Sequence, residues 1–110
     1  MSEENILIQV AMQIILHAGN ARLHAADALA SAKKNDFENA EELMKKAEEE
    51  IVLAHKAQTE VIQNEMSGQG YDYSLLFTHA QDTLMTIKSE LTFSKELIDV
   101  LKIIDERTKR

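Results

Sequence analysis

The sequence predicts an all-α protein: an up-down-up antiparallel three-helix bundle in which residues 1–110 form a single domain. It contains no proline and only three glycines, and 45% of its residues are hydrophobic. Helix-favouring alanine, leucine, glutamate and lysine are abundant, whereas the β-branched and aromatic runs of strands are scarce. A chain of 110 residues is the size of one domain with one modest core.

The first helix is predicted for about residues 5–34. The residues of one predicted face follow one another there at intervals of three or four, which is helical spacing. The run ILIQVAMQIIL at 6–16 is apolar around most of its circumference as well. The predicted core face consists of Ile6, Val10, Ile14, His17, Ala21, His24 and Ala28.

The second helix is predicted for about residues 37–67. In the connection KKNDFENAEEL, Asn35 or Asp36 can cap its N-terminus, and Glu38 lies where the acid of a capping box would. Charged residues follow on the outer side of the helix, as expected of a solvated face. Its predicted core face consists of Ala40, Leu43, Ala47, Ile51, Ala54, Gln58 and Val61.

The third helix is predicted for about residues 73–106. Gly68 and Gly70 can end the helix before it by taking positive φ, and Asp72 is the expected N-terminal cap. Three helices of about 30 residues would give a bundle about 45 Å long. The core face predicted here consists of Phe77, Ala80, Leu84, Ile87, Leu91, Ser94, Ile98 and Leu101.

The third helix also has a second line of residues at helical spacing, which we name the outer stripe. It is polar in its first half and apolar in its second half. A small bundle needs only one apolar face per helix, so we expect this chain to self-assemble. The alternative is a wider core whose excess apolar groups lie at the surface. The outer stripe consists of Leu75, His79, Asp82, Thr86, Ser89, Phe93, Leu97, Val100 and Ile104.

Charge and composition exclude several functions. The formal net charge is -7, which disfavours nucleic acid and anionic membranes as partners. The chain has no cysteine, its N-terminal residues are acidic rather than basic, and its first apolar run is too short to span a bilayer. We therefore expect a cytoplasmic protein without membrane insertion. It has no glycine-rich phosphate loop and no nucleophile elbow, so a self-contained kinase or hydrolase is not indicated.

The segment THAQDTLM, residues 78–85, contains the candidate site. His79, Asp82 and Thr83 lie three and four residues apart, so they project from one side of the helix. Histidine can offer an unprotonated nitrogen as a nucleophile for phosphoryl transfer near neutral pH. Gln81, Thr83 or Gln58 could fix its tautomer or hold phosphate oxygens. The alternative is a polar histidine with a satisfied hydrogen bond at the end of a core face.

Asp82 lies on the outer stripe. If copies of the chain meet there on a symmetry axis, their carboxylates repel one another unless a cation or proton intervenes. A hard divalent ion such as Mg²⁺ would relieve that repulsion. An exposed aspartate without a ligand is the alternative. The other histidines, His17, His24 and His55, lack the spacing of a zinc site, and we assign them structural or surface roles.

Four blocks, taken together, resemble a known family: HAGNAR at 17–22, DFENAEELMKKAEE at 36–49, AHKAQTEVIQNE at 54–65 and THAQDTLM at 78–85. They are similar to the enzyme IIA component of the lactose/cellobiose (chitobiose) type in the bacterial phosphoenolpyruvate-dependent sugar phosphotransferase system. The resemblance spans nearly the whole chain.

The resemblance implies a function and an assembly. His79 would accept a phosphoryl group from the phosphocarrier protein HPr, as tele-phosphohistidine, and pass it to a cysteine of enzyme IIB during uptake of a β-disaccharide such as lactose, cellobiose or chitobiose. Gln81 and Thr83 would support it. The family forms homotrimers, which are nine-helix bundles, with Asp82 at the three-fold axis and one Mg²⁺ per trimer.

One position departs from the family pattern. The block usually reads HAQDHLM, and Thr83 replaces its second histidine. A hydroxyl can hydrogen-bond a phosphate but cannot hold a positive charge. A phosphocarrier is the leading hypothesis. A helical oligomerisation or adaptor module that has lost phosphotransfer, and a regulatory metal-binding bundle that depends on Asp82 alone, are the alternatives.

Overall fold

The structure is a computed structural model that describes residues 3–68 and 70–109, with side chains from residue 5 onward. Three helices follow one another: α1 (Glu3–Lys33), α2 (Phe37–Met66) and α3 (Leu75–Thr108). Each end lies within two residues of its predicted position. The described part of the chain contains no strand, and the predicted all-α three-helix fold is confirmed. The molecule measures 62 × 20 × 18 Å. It is longer than expected partly because α3, with 34 residues, alone spans about 51 Å.

Helix α1 packs against both other helices, while α2 and α3 contact each other less. Its buried face differs from the predicted one. Ile6, Val10, His17 and His24 are only half-buried, so the predicted core face was wrong at these positions. The run at 6–16 is apolar around most of the helix, and its pattern alone therefore does not determine which side is buried. Alanines dominate the true core face, and their small side chains let α1 lie close to two neighbours. It consists of Leu7, Ala11, Ile14, Ala18, Ala21, Ala25, Ala28 and Ala32.

The core faces of α2 and α3 agree with the sequence pattern. On α2, Leu43 is half-buried and Met44 is buried beside it, while the other predicted positions are buried. On α3, Leu101 is half-buried and the remaining predicted residues are buried, with Ser94 as the one polar member. Charged outer faces fix the phase of these two helices, so the apolar residues identify the core.

The connection between α1 and α2 is short and locally hydrogen-bonded. Asn35 takes positive φ (64°) after the end of α1. Asp36 caps α2, its carboxylate accepting from the backbone N–H of Asn39 at 3.3 Å. With this cap, Glu38 occupies the second helical position rather than the third, so the capping-box assignment of Glu38 was wrong.

The connection between α2 and α3 sets the start of the helix that contains His79. Tyr71 is half-buried, and its hydroxyl accepts from the side-chain amide of Asn64 on α2 at 2.9 Å. Ser74 caps α3, its side chain accepting from the backbone N–H of Phe77 at 3.2 Å. Asp72, the predicted cap, is exposed in the connection. That prediction was wrong because α3 begins two residues later than expected, which moves the cap by the same distance.

Ion pairs join the helices at the surface. His17 Nδ1 lies 2.7 Å from the Glu50 carboxylate, linking α1 to α2. Arg22 donates two hydrogen bonds of 2.8 Å to Glu90, linking α1 to α3. Between α2 and α3, Lys95 pairs with Glu48 and Lys102 with Glu41, each at 3.1 Å.

Among the described helices, Asn5–Lys33 is long and apolar enough to cross a bilayer. The sequence prediction considered only its first apolar run and missed this property. A core helix of a soluble bundle has the same length and composition, and here its alanine face packs against α2 and α3. The property therefore does not by itself indicate a membrane span.

Candidate functional site

His79 is the fifth residue of α3, and its side chain is exposed on the outer stripe. In the part of the chain that the structure describes, its imidazole has no hydrogen-bond or ion-pair partner. The alternative of a histidine with a satisfied intramolecular hydrogen bond therefore does not hold within one chain. Ser74 caps the N-terminus of α3 five residues before His79, so His79 lies within regular helix. The imidazole is thus open to an approaching reactant.

Thr83 lies one turn after His79 and is half-buried. Its hydroxyl donates to the backbone carbonyl oxygen of His79 at 2.8 Å. A hydroxyl has a single proton, so in this arrangement Thr83 can accept a hydrogen bond from a group on His79 but cannot donate one to it. To donate to a phosphate oxygen, the hydroxyl would first have to leave the carbonyl.

Gln81 does not lie beside His79. Two residues along a helix turn the side-chain direction by about 200°, so the two residues project from nearly opposite sides of α3. Gln81 lines a cavity of about 190 Å³ with Val61 and Glu65 of α2. Gln58, the other amide considered, is buried on the core face of α2. Neither amide is therefore placed to fix the His79 tautomer from within one chain.

Asp82 is exposed on the same side of α3 as His79. Among the described residues, no three histidines or carboxylates come together into a metal-binding group. Mg²⁺ prefers near-octahedral oxygen coordination, and one chain supplies a single carboxylate here. A magnesium site at Asp82 would therefore need the same residue from further copies of the chain, and it stays a prediction.

The apolar half of the outer stripe is uncovered in the single chain. Phe93 is 70% exposed and Leu97 53% exposed, and Val100 and Ile104 continue the same line. On α1, Met12 and Leu16 are exposed as well. Apolar surface that continues along one side of a long helix is typical of an interaction face.

Sequence spacing did not predict how α2 and α3 are paired. The pairs Glu48–Lys95 and Glu41–Lys102 are seven residues apart on both helices. Because seven residues are about two helical turns, such pairs recur on one side of a helix. Glutamates and lysines at this interval in the sequence are the signal that could have found the antiparallel register.

Known proteins are similar to this chain along most of its length. Residues 9–102 match the family model described as PTS system, Lactose/Cellobiose specific IIA subunit. The lichenan-specific phosphotransferase enzyme IIA component of Bacillus subtilis (strain 168) is 42% identical over 107 residues, covering 97% of this chain and 96% of that protein. The PTS system lactose-specific EIIA component of Lacticaseibacillus casei is 34% identical over 106 residues, covering 96% and 95%.

A solved structure shares the fold. The crystal structure of the PTS cellobiose specific enzyme IIA from Bacillus anthracis superimposes with a TM-score of 0.86 at 41% identity, covering 91% of this chain and 92% of that one. The resemblance found in the four sequence blocks is thereby confirmed.

Proposed function

This chain belongs to the lactose/cellobiose-specific IIA family of the sugar phosphotransferase system, and from that premise we propose that it is a cytoplasmic phosphocarrier whose phosphoryl acceptor is His79. The donor is HPr and the acceptor is a cysteine of enzyme IIB. The observation that supports this assignment is the exposed His79 imidazole, which no other described group engages.

The chemistry we propose uses one ring nitrogen in each of two transfers. A phosphorus–nitrogen bond forms at Nε2 of His79 as the bond from phosphorus to HPr breaks. In the second transfer that bond breaks while a phosphorus–sulfur bond forms on IIB. Such transfers depend on in-line positioning and on charge that compensates the phosphoryl oxygens. Because His79 is exposed and has few polar neighbours in its own chain, we expect the partners to supply much of that compensation.

We further propose that the chain assembles as a homotrimer through the outer stripe. The exposed Phe93 and Leu97 support this proposal, since copies that meet there remove apolar surface from water. In such a trimer three Asp82 carboxylates approach one another. One Mg²⁺ bound to them would supply charge neutralisation on the axis, and the carboxylates would serve as its oxygen ligands.

The transported sugar is not bound by this subunit in our proposal, and a β-disaccharide is the class we expect. Relatives whose names specify lactose and cellobiose, both β-linked disaccharides, point to this class. The membrane component of the transporter would select among such sugars.

The test is the intact mass after incubation with phosphoenolpyruvate, enzyme I and HPr. We expect one acid-labile phosphoryl adduct per chain, and no adduct on a His79→Ala variant. A matched control is His55→Ala, which removes another exposed histidine and should keep the adduct. Addition of IIB should then discharge the phosphorylated protein.

Thr83→Val tests whether the Thr83 hydroxyl supports phosphorylation of His79, because valine has nearly the shape of threonine without its hydroxyl. Since that hydroxyl is engaged with the backbone, we expect the variant to be phosphorylated at nearly the same rate.

If the wild-type protein forms no adduct, the carrier role fails, and a helical oligomerisation or adaptor module becomes the better proposal.

A further inference from the structure

The surface between α2 and α3 has a regular ladder of ion pairs that stops after two steps. Lys102 pairs with Glu41 and Lys95 with Glu48. The helices are antiparallel, so one further step of seven residues on each leads to Lys88 and His55. At this third step the α2 residue is a histidine where the first two steps have a glutamate.

The third step leaves positive charge without a matching carboxylate. In the described part of the chain, Lys88 forms no ion pair, and neither does Lys56, the neighbour of His55. The cations at the first two steps are each within 3.1 Å of a carboxylate. This local excess of positive charge occurs in a chain whose formal net charge is -7.

A groove of about 690 Å³ lies at this third step. Lys88 forms one side and α2 forms the other, with Ile51 and Val52 as its apolar part. Small-molecule sites have volumes in this range and combine apolar walls with a few polar groups. The remaining lining residues are His55, Lys56, Thr59, Glu60 and Gln63.

The polar groups of the groove favour an anion. Gln63 has an amide that can donate, whereas the Thr59 hydroxyl already donates to the carbonyl of His55 at 2.9 Å. Glu60 is the one acid among the lining residues, and the two lysines outweigh it. Two ammonium groups, one from each helix, match a doubly charged anion better than they match a singly charged carboxylate.

We propose that this groove binds a small phosphate-bearing molecule with an apolar part. The phosphate lies between Lys88 and Lys56, and the apolar part contacts Val52 and Ile51. The groove is separate from the phosphoryl-transfer site, because Lys88 is about 180° around α3 from His79 and about 14 Å along it. Binding there is therefore independent of whether His79 is phosphorylated.

The test is a titration of the ¹⁵N-labelled full chain, followed by ¹H–¹⁵N NMR, with phenyl phosphate, inorganic phosphate and phenol. Phenyl phosphate should shift the signals of residues 51–63 and Lys88, with inorganic phosphate binding more weakly and phenol not detectably. Lys88→Gln should weaken phenyl phosphate binding about tenfold, since a charge-assisted hydrogen bond is lost.

Two further variants make the result specific. Lys95→Gln removes a lysine two turns further along the same side of α3 and should leave binding unchanged. His55→Glu supplies the carboxylate that the third step lacks, so it should pair with Lys88 and abolish binding while the protein stays folded.

The proposal would be overturned by the absence of a saturable shift with phenyl phosphate, by equal weakening from Lys88→Gln and Lys95→Gln, or by shifts that centre on His79 instead of the groove. Equal binding of phenol and phenyl phosphate would also overturn it, because the lysines would then contribute nothing.

Discussion

The two sides of α3 differ in where their side chains find partners. On the side towards α2, Lys95 and Lys102 reach carboxylates of the same chain. On the outer stripe, His79 and Asp82 have no partner among the described residues, and Phe93 is 70% exposed. One side completes the bundle, and the other side leaves its groups exposed. The contrast shows that folding within one chain accounts for the first face of α3 and leaves the second face free for the assembly proposed above.

The largest effect should come from placing a charge in the apolar half of the outer stripe. If copies meet there, Phe93→Asp buries a charge at the interface, which is strongly unfavourable. We expect the mass in solution, measured by sedimentation equilibrium, to fall from that of a trimer to that of a monomer. Leu53→Asp is the control, since Leu53 is also an exposed apolar residue but lies on α2, outside the outer stripe, and the substitution should leave the mass unchanged. An unchanged mass for Phe93→Asp would show that the stripe is not the interface.

An intermediate effect should come from the core face of the same helix. Leu84 is fully buried, so Leu84→Ala should lower the free energy of unfolding by about 2–5 kcal/mol. Urea denaturation at two protein concentrations measures it. We expect the loss from Leu84→Ala to persist at both concentrations, whereas the loss from Leu97→Ala should grow where the oligomer dominates. The same concentration dependence for both would contradict the division of α3 into two functions.

The smallest effect should come from the boundary between the two sides, where Glu90 pairs with Arg22 of α1. The hydrogen bond from Arg22 to Glu90 raises the pKa of the guanidinium. A raised pKa means that the stabilisation is complete below the ordinary arginine pKa and is lost only as the pH rises above it. Arginine titration therefore gives no pH dependence near neutrality.

A double-mutant cycle with Arg22→Gln and Glu90→Gln measures this pair. Both side chains are about half exposed, so solvent screening limits the coupling to about 0.2–1 kcal/mol. We expect it to shrink further in high salt. A coupling that salt does not change would mean that the bidentate geometry, rather than charge, provides the stabilisation.

The sequence predicted α2 and the core face of α3 well, because charged residues opposite the apolar ones determine which way each helix faces. It could not determine the phase of α1, where Ile6, Leu7 and Ile8 follow one another. Only packing against two neighbours selects Leu7 for the core. The cap of α3 was missed for a similar reason: both Asp72 and Ser74 can cap, and the position of the connection decides between them.

The site was predicted less completely than the fold. Helical spacing placed His79, Asp82 and Thr83 on one side, and the four-block resemblance led to the proposal that His79 is the phosphoryl acceptor. The same spacing makes Gln81 project away from His79, which the supporting role predicted for Gln81 did not take into account. The hydrogen bond of the Thr83 hydroxyl to the backbone depends on a side-chain rotamer, which no pattern of residues reveals.

The alanine face of α1 also affects which substitutions the bundle tolerates. Burying an alanine freezes no side-chain rotamer, so α1 enters the core without the conformational entropy loss that leucine or methionine would incur. The same lack of adjustable atoms leaves no room to absorb added volume, and enlarging a residue such as Ala21 or Ala28 should overpack the core by about 1–3 kcal/mol. In evolutionary terms, the alanine face should therefore be the part of α1 in which side-chain volume varies least.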